Sequence, residues 1–280
     1  YHELTQHFIY DNAACLRGKG TDFAIGRLKR HLQKFYREHN TNGYILKCDI
    51  KDFFGQTQHS TASSAAEKRI MDRWVLSHVG SIIKSFDQAE DPNKGMGLGS
   101  EVTQLVQLSV MDDLDHYIKE QLRIKYYIRY NDDFILIHED KEYLKHCQQE
   151  IAEKLSGLGL RLSDKKTQIC PVTQRVRFLG FSYQLTSTGK VVMRILPENV
   201  KNERRKLKKL VDRAAQRLMT KQDVDDCYEG WKAHAKRGNT HKEILKMDAY
   251  YKSLWRDYYH VQVQRYRSSA PGGESTYQSS

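Results

Sequence analysis

Tyr126-Tyr-Ile-Arg-Tyr-Asn-Asp-Asp-Phe-Ile-Leu-Ile137 is the stretch on which the reading of this chain turns. Two adjacent carboxylates, Asp132 and Asp133, follow Asn131 where the pattern predicts a hairpin tip between two apolar strands. A sheet that presents acids at such a point can hold a divalent cation in one place. A solvated Asn-Asp turn would carry the same local sequence, so the segment alone leaves both readings open.

The rest of the chain bears on that choice. Its 280 residues can bury a large core, as one large domain or two smaller ones. With 39% hydrophobic and 10% aromatic residues the composition is that of a folded protein. A formal charge of +11 points to an anionic partner, nucleic acid being the usual one. The five cysteines are widely spaced, with no C-x-x-C and no zinc spacing, which suits reduced thiols in a cytoplasmic protein. No apolar run approaches the roughly 18 residues that a membrane span needs, so no membrane association is expected.

Periodicity predicts a helix over 22–36, then a short strand from Tyr44 to Ile50 that ends on acid. Ser64 with Glu67 fits a capping box for a helix through Ile70, Trp74 and Val79. A polar, then Gly-rich loop over 85–99 leads into a long helix from Thr103 to Leu122. After the acid hairpin come a helix over 141–156 and a second hairpin, Arg177 to Leu185 with Lys190 to Ile195. From Pro197 the texture turns basic and helical. Residues 201–217 hold eight Lys or Arg against two acids, favouring a nucleic-acid backbone over a merely solvated face. Thr240 with Glu243 fits a further capping box. The expected division is a mixed α/β body over 1–196, a basic helical region over 197–266 and a disordered tail over 267–280.

Nucleotide polymerisation is an in-line displacement at phosphorus, served by two metal ions roughly 3.5–4 Å apart on carboxylates from different strands. Asp49, ending the Tyr44 strand, is the second source of acid beside Asp132 and Asp133. Phe54, five residues on, is placed to lie under the sugar of an incoming nucleotide and clash with a 2′-hydroxyl, although an ordinary core aromatic would have the same spacing. Asp112, Asp113 and Asp115 lie on the preceding helix and are expected to be solvated or capping residues.

With these residues in hand, the chain resembles a prokaryotic reverse transcriptase. Asp49-Ile-Lys-Asp-Phe-Phe54 matches that family's first catalytic motif, and Tyr130-Asn-Asp-Asp133 its Tyr-x-Asp-Asp motif. Between them, Gly95 to Gln104 resembles the Gly-rich motif. Downstream, Asp164-Lys-Lys-Thr167 resembles the lysine-bearing segment and Phe178-Leu179-Gly180-Phe181 the primer-grip turn. The motifs run in order across about residues 10 to 185. The resemblance implies an α+β right-hand polymerase fold: partial fingers, a palm with an antiparallel sheet packed on helices, then a helical thumb.

It further implies an RNA-directed DNA polymerase that takes an RNA template, a DNA or RNA primer and dNTPs. Two Mg2+ ions, with Mn2+ as the alternative, would be held at Asp49, Ile50, Asp132 and Asp133. Arg17, Lys19, Phe54, Gly99, Gln104 and Lys166 would contact the dNTP. Many relatives carry Arg where this chain has Leu16, so Arg17 and Lys19 are the cations on offer. Lys166 would protonate the departing pyrophosphate, though a solvated lysine between helix and strand would look the same. Arg204, Arg205, Lys208 and Lys209 would track the nucleic-acid backbone. The family carries a further fingers segment before the point where this chain starts, so the chain is expected to be incomplete at its N-terminus.

Leu98-Gly-Ser-Glu-Val-Thr-Gln104 departs from the Gln-Gly-x-x-x-Ser-Pro of retron and group II intron enzymes. It is similar to the aliphatic-Gly-x-x-x-Ser-Gln of diversity-generating retroelement enzymes, as is Gly230-Trp-Lys-Ala-His-Ala-Lys-Arg-Gly-Asn239, with Ala233 where that group has Gly. That group copies a template repeat with errors opposite adenine, beside a small basic ring-forming accessory protein. The alternatives are a retron-like, group II intron-like or phage-defence reverse transcriptase, or a nucleic-acid-binding relative without catalysis. Retention of all three acids stands against the last.

Overall fold

The computed structural model describes residues 1–86, 91–97 and 99–269. Leu98 and residues 270–280, and with them most of the expected tail, lie outside the described residues. The chain divides into two compact units, 1–179 with 183–192, and 180–182 with 193 onward.

In chain order the elements of the first unit are α1 (His2–Thr5), α2 (Thr21–His39), β1 (Tyr44–Asp49), α3 (Phe53–Gln56), α4 (His59–Glu67), α5 (Arg73–Lys84), α6 (Glu101–Val110), α7 (Asp112–His116), β2 (Tyr126–Tyr130), β3 (Asp133–His138), α8 (Lys141–Gly157), β4 (Gln168–Pro171) and β5 (Val176–Phe178). β6 (Phe181–Leu185) and β7 (Val191–Ile195) follow, with β5 in a three-stranded sheet, and the chain passes between the units along them.

The main sheet has the order β2-β3-β1-β4, antiparallel throughout, so the two strands that end or begin on acid are neighbours at its centre. Five of the six β1 residues are buried because the sheet is covered on both faces. One face, Leu46, Cys48, Tyr127, Phe134 and Leu136, packs on Leu144, Cys147, Ile151 and Leu155 of α8. These α8 positions recur at helical spacing. Phe134 is fully buried there, and its truncation to Ala would cost about 3–5 kcal/mol. A second apolar cluster joins Ala62 and Ala66 of α4, Val79 and Ile83 of α5, and Leu105, Val106 and Leu108 of α6.

Several expected boundaries move. Ser64 and Glu67 close α4 rather than cap a helix; the cap of α5 is Asp72, whose side chain accepts from the N–H groups of Trp74 and Val75. The long helix over 103–122 is cut at Met111 into α6 and α7, then widens into a π turn over Tyr117–Gln121, where Leu122 N–H reaches back five residues to Tyr117.

The second unit holds α9 (Pro197–Ala215), α10 (Lys221–Ala235) and α11 (His241–Ser269). Leu207, Val211, Val224, Tyr228, Met247, Tyr251 and Trp255 form its core. The eight cations of 201–217 are all exposed, which leaves the apolar stripe of α9 to face α10 and α11. A capping box forms at Thr220 and Asp223, ahead of α10. Thr240 spends its hydroxyl on the Ala235 carbonyl. Residues 267–269 continue α11, so the helix outlasts the expected start of the tail. Among the described residues no helix is long and apolar enough to cross a membrane. All five cysteines are free thiols.

Candidate active site

Antiparallel register sets Asp49, the last residue of β1, directly opposite Asp133, the first of β3. The tip of the β2–β3 hairpin is Asn131-Asp132, with Asn131 in the left-handed region (φ 54), a conformation Asn tolerates. Beyond the paired acids the ladder continues, Ile50 N–H donating to the Asp132 carbonyl at 3.1 Å. Two strand carboxylates and one on the hairpin tip therefore lie at the same end of the sheet. Because side chains alternate along a strand, Lys47 shares the face of Asp49 and Asp133.

That lysine is a site residue the sequence reading missed. Its Nζ lies 3.0 Å from Asp133 Oδ1, with both groups largely buried. Lys166 Nζ lies 3.0 Å from Asp49. Its turn is held by Ser163 N–H donating to the Asp49 carbonyl at 2.7 Å and by Lys51 N–H donating to Arg161. Burial pushes the Asp133 carboxyl up to about 7, against the pull of Lys47 and with the charges of Asp49 and Asp132 adding to the rise. Asp132 is raised for the same reasons, burial first and then Asp49. The hydrogen bond to Asp49 raises Lys166. Two ammonium groups thus offset part of the negative charge at the tip.

Among the described residues no three His, Cys, Asp or Glu side chains already close around a metal position. Such closure is not required of Mg2+, which is usually held by one or two carboxylates with waters and substrate phosphates making up the octahedron. Hard oxygen donors whose negative charge Lys47 and Lys166 offset only in part fit that ion.

The hairpin is oriented from behind by a buried ion pair. Arg129, on β2, donates through Nε and Nη2 to Asp115 at 2.6–3.0 Å, and through Nη1 to the Asn131 carbonyl at 3.1 Å. Tyr127 OH donates to the same carboxylate at 2.6 Å. The expectation that Asp112, Asp113 and Asp115 are solvated or capping residues holds for Asp113 alone, whose side chain is exposed. Asp112 and Asp115 are fully buried, paired with Arg69 and Arg129. A signal was present in the sequence: Lys47 and Arg129 each interrupt a strand that is otherwise apolar.

Phe54 is half-buried, packs against both apolar clusters, and meets the Phe53 ring edge-on at 5.6 Å. The Gly-rich segment is laced to it, Met96 N–H donating to the Phe54 carbonyl at 2.8 Å and Gly95 N–H to that of Thr57 at 3.0 Å. Gly99 has φ 109, which requires its glycine. Gln104 accepts from the Cys15 thiol at 2.9 Å, tying α6 to the segment that carries Arg17 and Lys19. Lys19 spends its ammonium on the carbonyls of Tyr10 (2.8 Å) and Asn12 (2.9 Å), between the Tyr10 and Phe23 rings. Burial lowers its pKa. It pins its own loop, whereas Arg17 is exposed over the Tyr1 ring.

Leu179 (φ 48) and Gly180 (φ 82) form the left-handed turn between β5 and β6. Phe178 and Phe181 are buried on either side of it. Arg204, Arg205, Lys208 and Lys209 are exposed on α9 in the second unit.

Residues 3–183 match the family described as reverse transcriptase (RNA-dependent DNA polymerase). No curated protein matches the chain. Among solved structures it is similar to apo telomerase from Candida tropicalis, at 12% identity and a TM-score of 0.53 over 68% of this chain and 38% of that one. The form of that protein truncated from its C-terminal domain gives 14%, 0.51, 65% and 40%. Telomerase from Candida albicans, in complex with a fragment of telomeric RNA, gives 11%, 0.51, 75% and 40%. At these identities the likeness is one of fold, a right-hand polymerase of mixed helix and antiparallel sheet, and the chain spans about two fifths of the length of those proteins.

Proposed function

Since this chain belongs to the reverse transcriptase (RNA-dependent DNA polymerase) family, we propose that it copies an RNA template into cDNA at the Asp49, Asp132 and Asp133 cluster. The observation that carries this reading is the register placing Asp49 against Asp133, with Asp132 on the adjoining hairpin tip. Mg2+ bound by these acids and the Ile50 backbone would activate the primer hydroxyl and neutralise the departing pyrophosphate.

The remaining roles belong to the chain's own groups. Lys47 keeps Asp133 paired on the strand face. Lys166, already within 3.0 Å of Asp49, is placed to supply a proton or positive charge to the leaving phosphate. Phe54 limits room at the sugar and so favours deoxynucleotides, and Gly99 and Gln104 back the base. With the Lys19 ammonium committed to its own loop, Arg17 is the better partner for the triphosphate. Residues 1–196 serve as partial fingers and palm, and 197–266 as a thumb. There Arg204, Arg205, Lys208 and Lys209 follow the phosphates of the primer–template, while the Phe178–Phe181 turn grips the primer.

The test is primer extension on an RNA template with Mg2+, comparing the wild type with Asp132→Asn. Loss of at least a thousandfold in rate is expected of the variant, and equal extension by both would refute the assigned site.

A finer reading is that the enzyme is of the diversity-generating type, working beside a small basic ring-forming protein. The Gly99–Gln104 pattern and the Trp231–Asn239 segment support it. Misincorporation opposite template adenine should exceed that opposite the other three bases; equal error at all four would exclude it.

A further inference from the structure

Phe54 is carried by α3, a single turn of four residues. So short a helix does not hold itself together. It is entered through Asp52 in the left-handed region (φ 47), and no side chain caps its start. What fixes the backbone at Phe54 therefore comes from outside the turn.

The peptide plane ahead of Phe54 carries the Phe53 carbonyl. That oxygen accepts from Gln107 Nε2 at 3.0 Å and from the Thr57 hydroxyl at 2.7 Å. Gln107 Nε2 also donates to Thr57 Oγ1, which closes the set. A carbonyl only accepts, so the amide nitrogen of Gln107 is the atom that faces it. The plane after Phe54 carries the Phe54 carbonyl, and Met96 N–H of the Gly-rich segment donates to it at 2.8 Å. With the planes on both sides held, the direction of the Phe54 Cα–Cβ bond is set, and the ring keeps only its side-chain torsions. Gln107 is otherwise out of place. It is 1% exposed and stands between Val106 and Leu108 in the apolar run of α6. A methionine would fill the same volume without burying an amide, so packing alone does not account for the glutamine.

We propose that Gln107 is a positioning residue for sugar selection: by holding the peptide plane ahead of Phe54, it sets how far the ring stands into the space of a ribose 2′-hydroxyl. Gln104 lies three residues earlier, on the same face of α6. One helix thus presents the residue proposed to back the base and aims the residue proposed to limit the sugar. This role rests on the reading of Phe54 as the group that limits room at the sugar, and it adds the side chain that aims it.

Single-nucleotide primer extension by the full chain on an RNA template tests this, with kcat/KM measured for matched ribo- and deoxyribonucleotides. Gln107→Met keeps the shape and removes the donor. Losing one neutral hydrogen bond is expected to raise the ribo-to-deoxy ratio about fivefold. A merely structural role lowers both rates together and leaves the ratio where it was. Thr57→Val, close in shape, takes the other donor from the same carbonyl and should move the ratio the same way; it supplies the reading if Gln107→Met does not fold. In a Phe54→Ala background Gln107→Met should add nothing, because no ring is left to aim. An unchanged ratio in the variant that folds overturns the proposal, and so does a rise that persists without the Phe54 ring. Extension with an unchanged ratio removes the role of Gln107 alone. A Phe54→Ala ratio equal to that of the wild type removes the sugar gate and this role together, and no extension by the wild type removes the polymerase reading with them.

Discussion

Arg129→Met tests how the fold aims the acid hairpin. Arg129 and Asp115 are both fully buried, joined through Nε and Nη2, with Tyr127 OH on the same carboxylate. Removing the guanidinium leaves a buried carboxylate with one hydroxyl for a partner, a change expected to cost about 3–5 kcal/mol. Against a typical total of about 5–15 kcal/mol that is a large fraction, and it corresponds to a fall of about 10 °C in Tm. Replacing all three polar partners at once (Tyr127→Phe, Asp115→Leu, Arg129→Met) removes the stranded charge and should return stability to within about 1 kcal/mol of wild type. Activity should not return with it. The Asn131 carbonyl loses the donor that holds it at 3.1 Å, so the carboxylates at the tip lose their aim. A hydrogen bond of that kind is worth about 1 kcal/mol or somewhat more, and a fall of roughly tenfold in kcat is expected. Urea unfolding and primer extension on the same samples give the two quantities. A single variant that loses less than 1 kcal/mol, or a triple variant both stable and fully active, would refute the reasoning.

Other expectations follow from the same geometry. Phe54→Ala should relax exclusion of ribonucleotides, raising the ratio of NTP to dNTP incorporation by about tenfold or more; an unchanged ratio would make Phe54 a core residue only. The Asp133 carboxyl is pushed up to about 7, and a protonated acid does not ligate, so Mg2+ affinity measured by calorimetry should fall as pH drops from 8 to 6. Constant affinity over that range would count against Asp133 as a ligand. Asp11 tests the fold away from the site. Burial pushes its carboxyl up, but hydrogen bonds from His31 and Arg27 and the charge of Lys119 hold it well below the usual range. A depressed folded-state value contributes stability above the unfolded value near 4, and this is lost as pH falls below it. Asp11→Asn should therefore flatten the acid limb of a Tm-against-pH curve, and an unaltered limb would place the acid sensitivity elsewhere.

Composition, spacing and motif order made much of this molecule legible. Asp49 closing an apolar run, Asn131-Asp132-Asp133 between two others, and the Gly-rich and Phe-Leu-Gly-Phe segments in sequence are local patterns, and local patterns carry strand ends and turns. The helix boundaries that failed are those where tertiary contacts decide. Asp72 caps α5 because the chain turns there, although Ser64 and Glu67 have the better capping spacing. The helix after residue 101 breaks at Met111, and Asp112 and Asp115 of its second half are buried against Arg69 and Arg129.

The sequence by itself determined which strands would end or begin on acid, since a strand-terminal acid is a matter of adjacent residues. Only the tertiary structure decided what neutralises those acids. Lys47 and Lys166 come from separate segments, as do Arg129 and the Asp115 it pairs with behind the hairpin, and no periodicity links residues whose contact depends on sheet order and register. Lys19 marks the reverse limit: its sequence suits a phosphate ligand, yet the fold spends its charge on the carbonyls of Tyr10 and Asn12, because a half-buried ammonium must be satisfied where it stands.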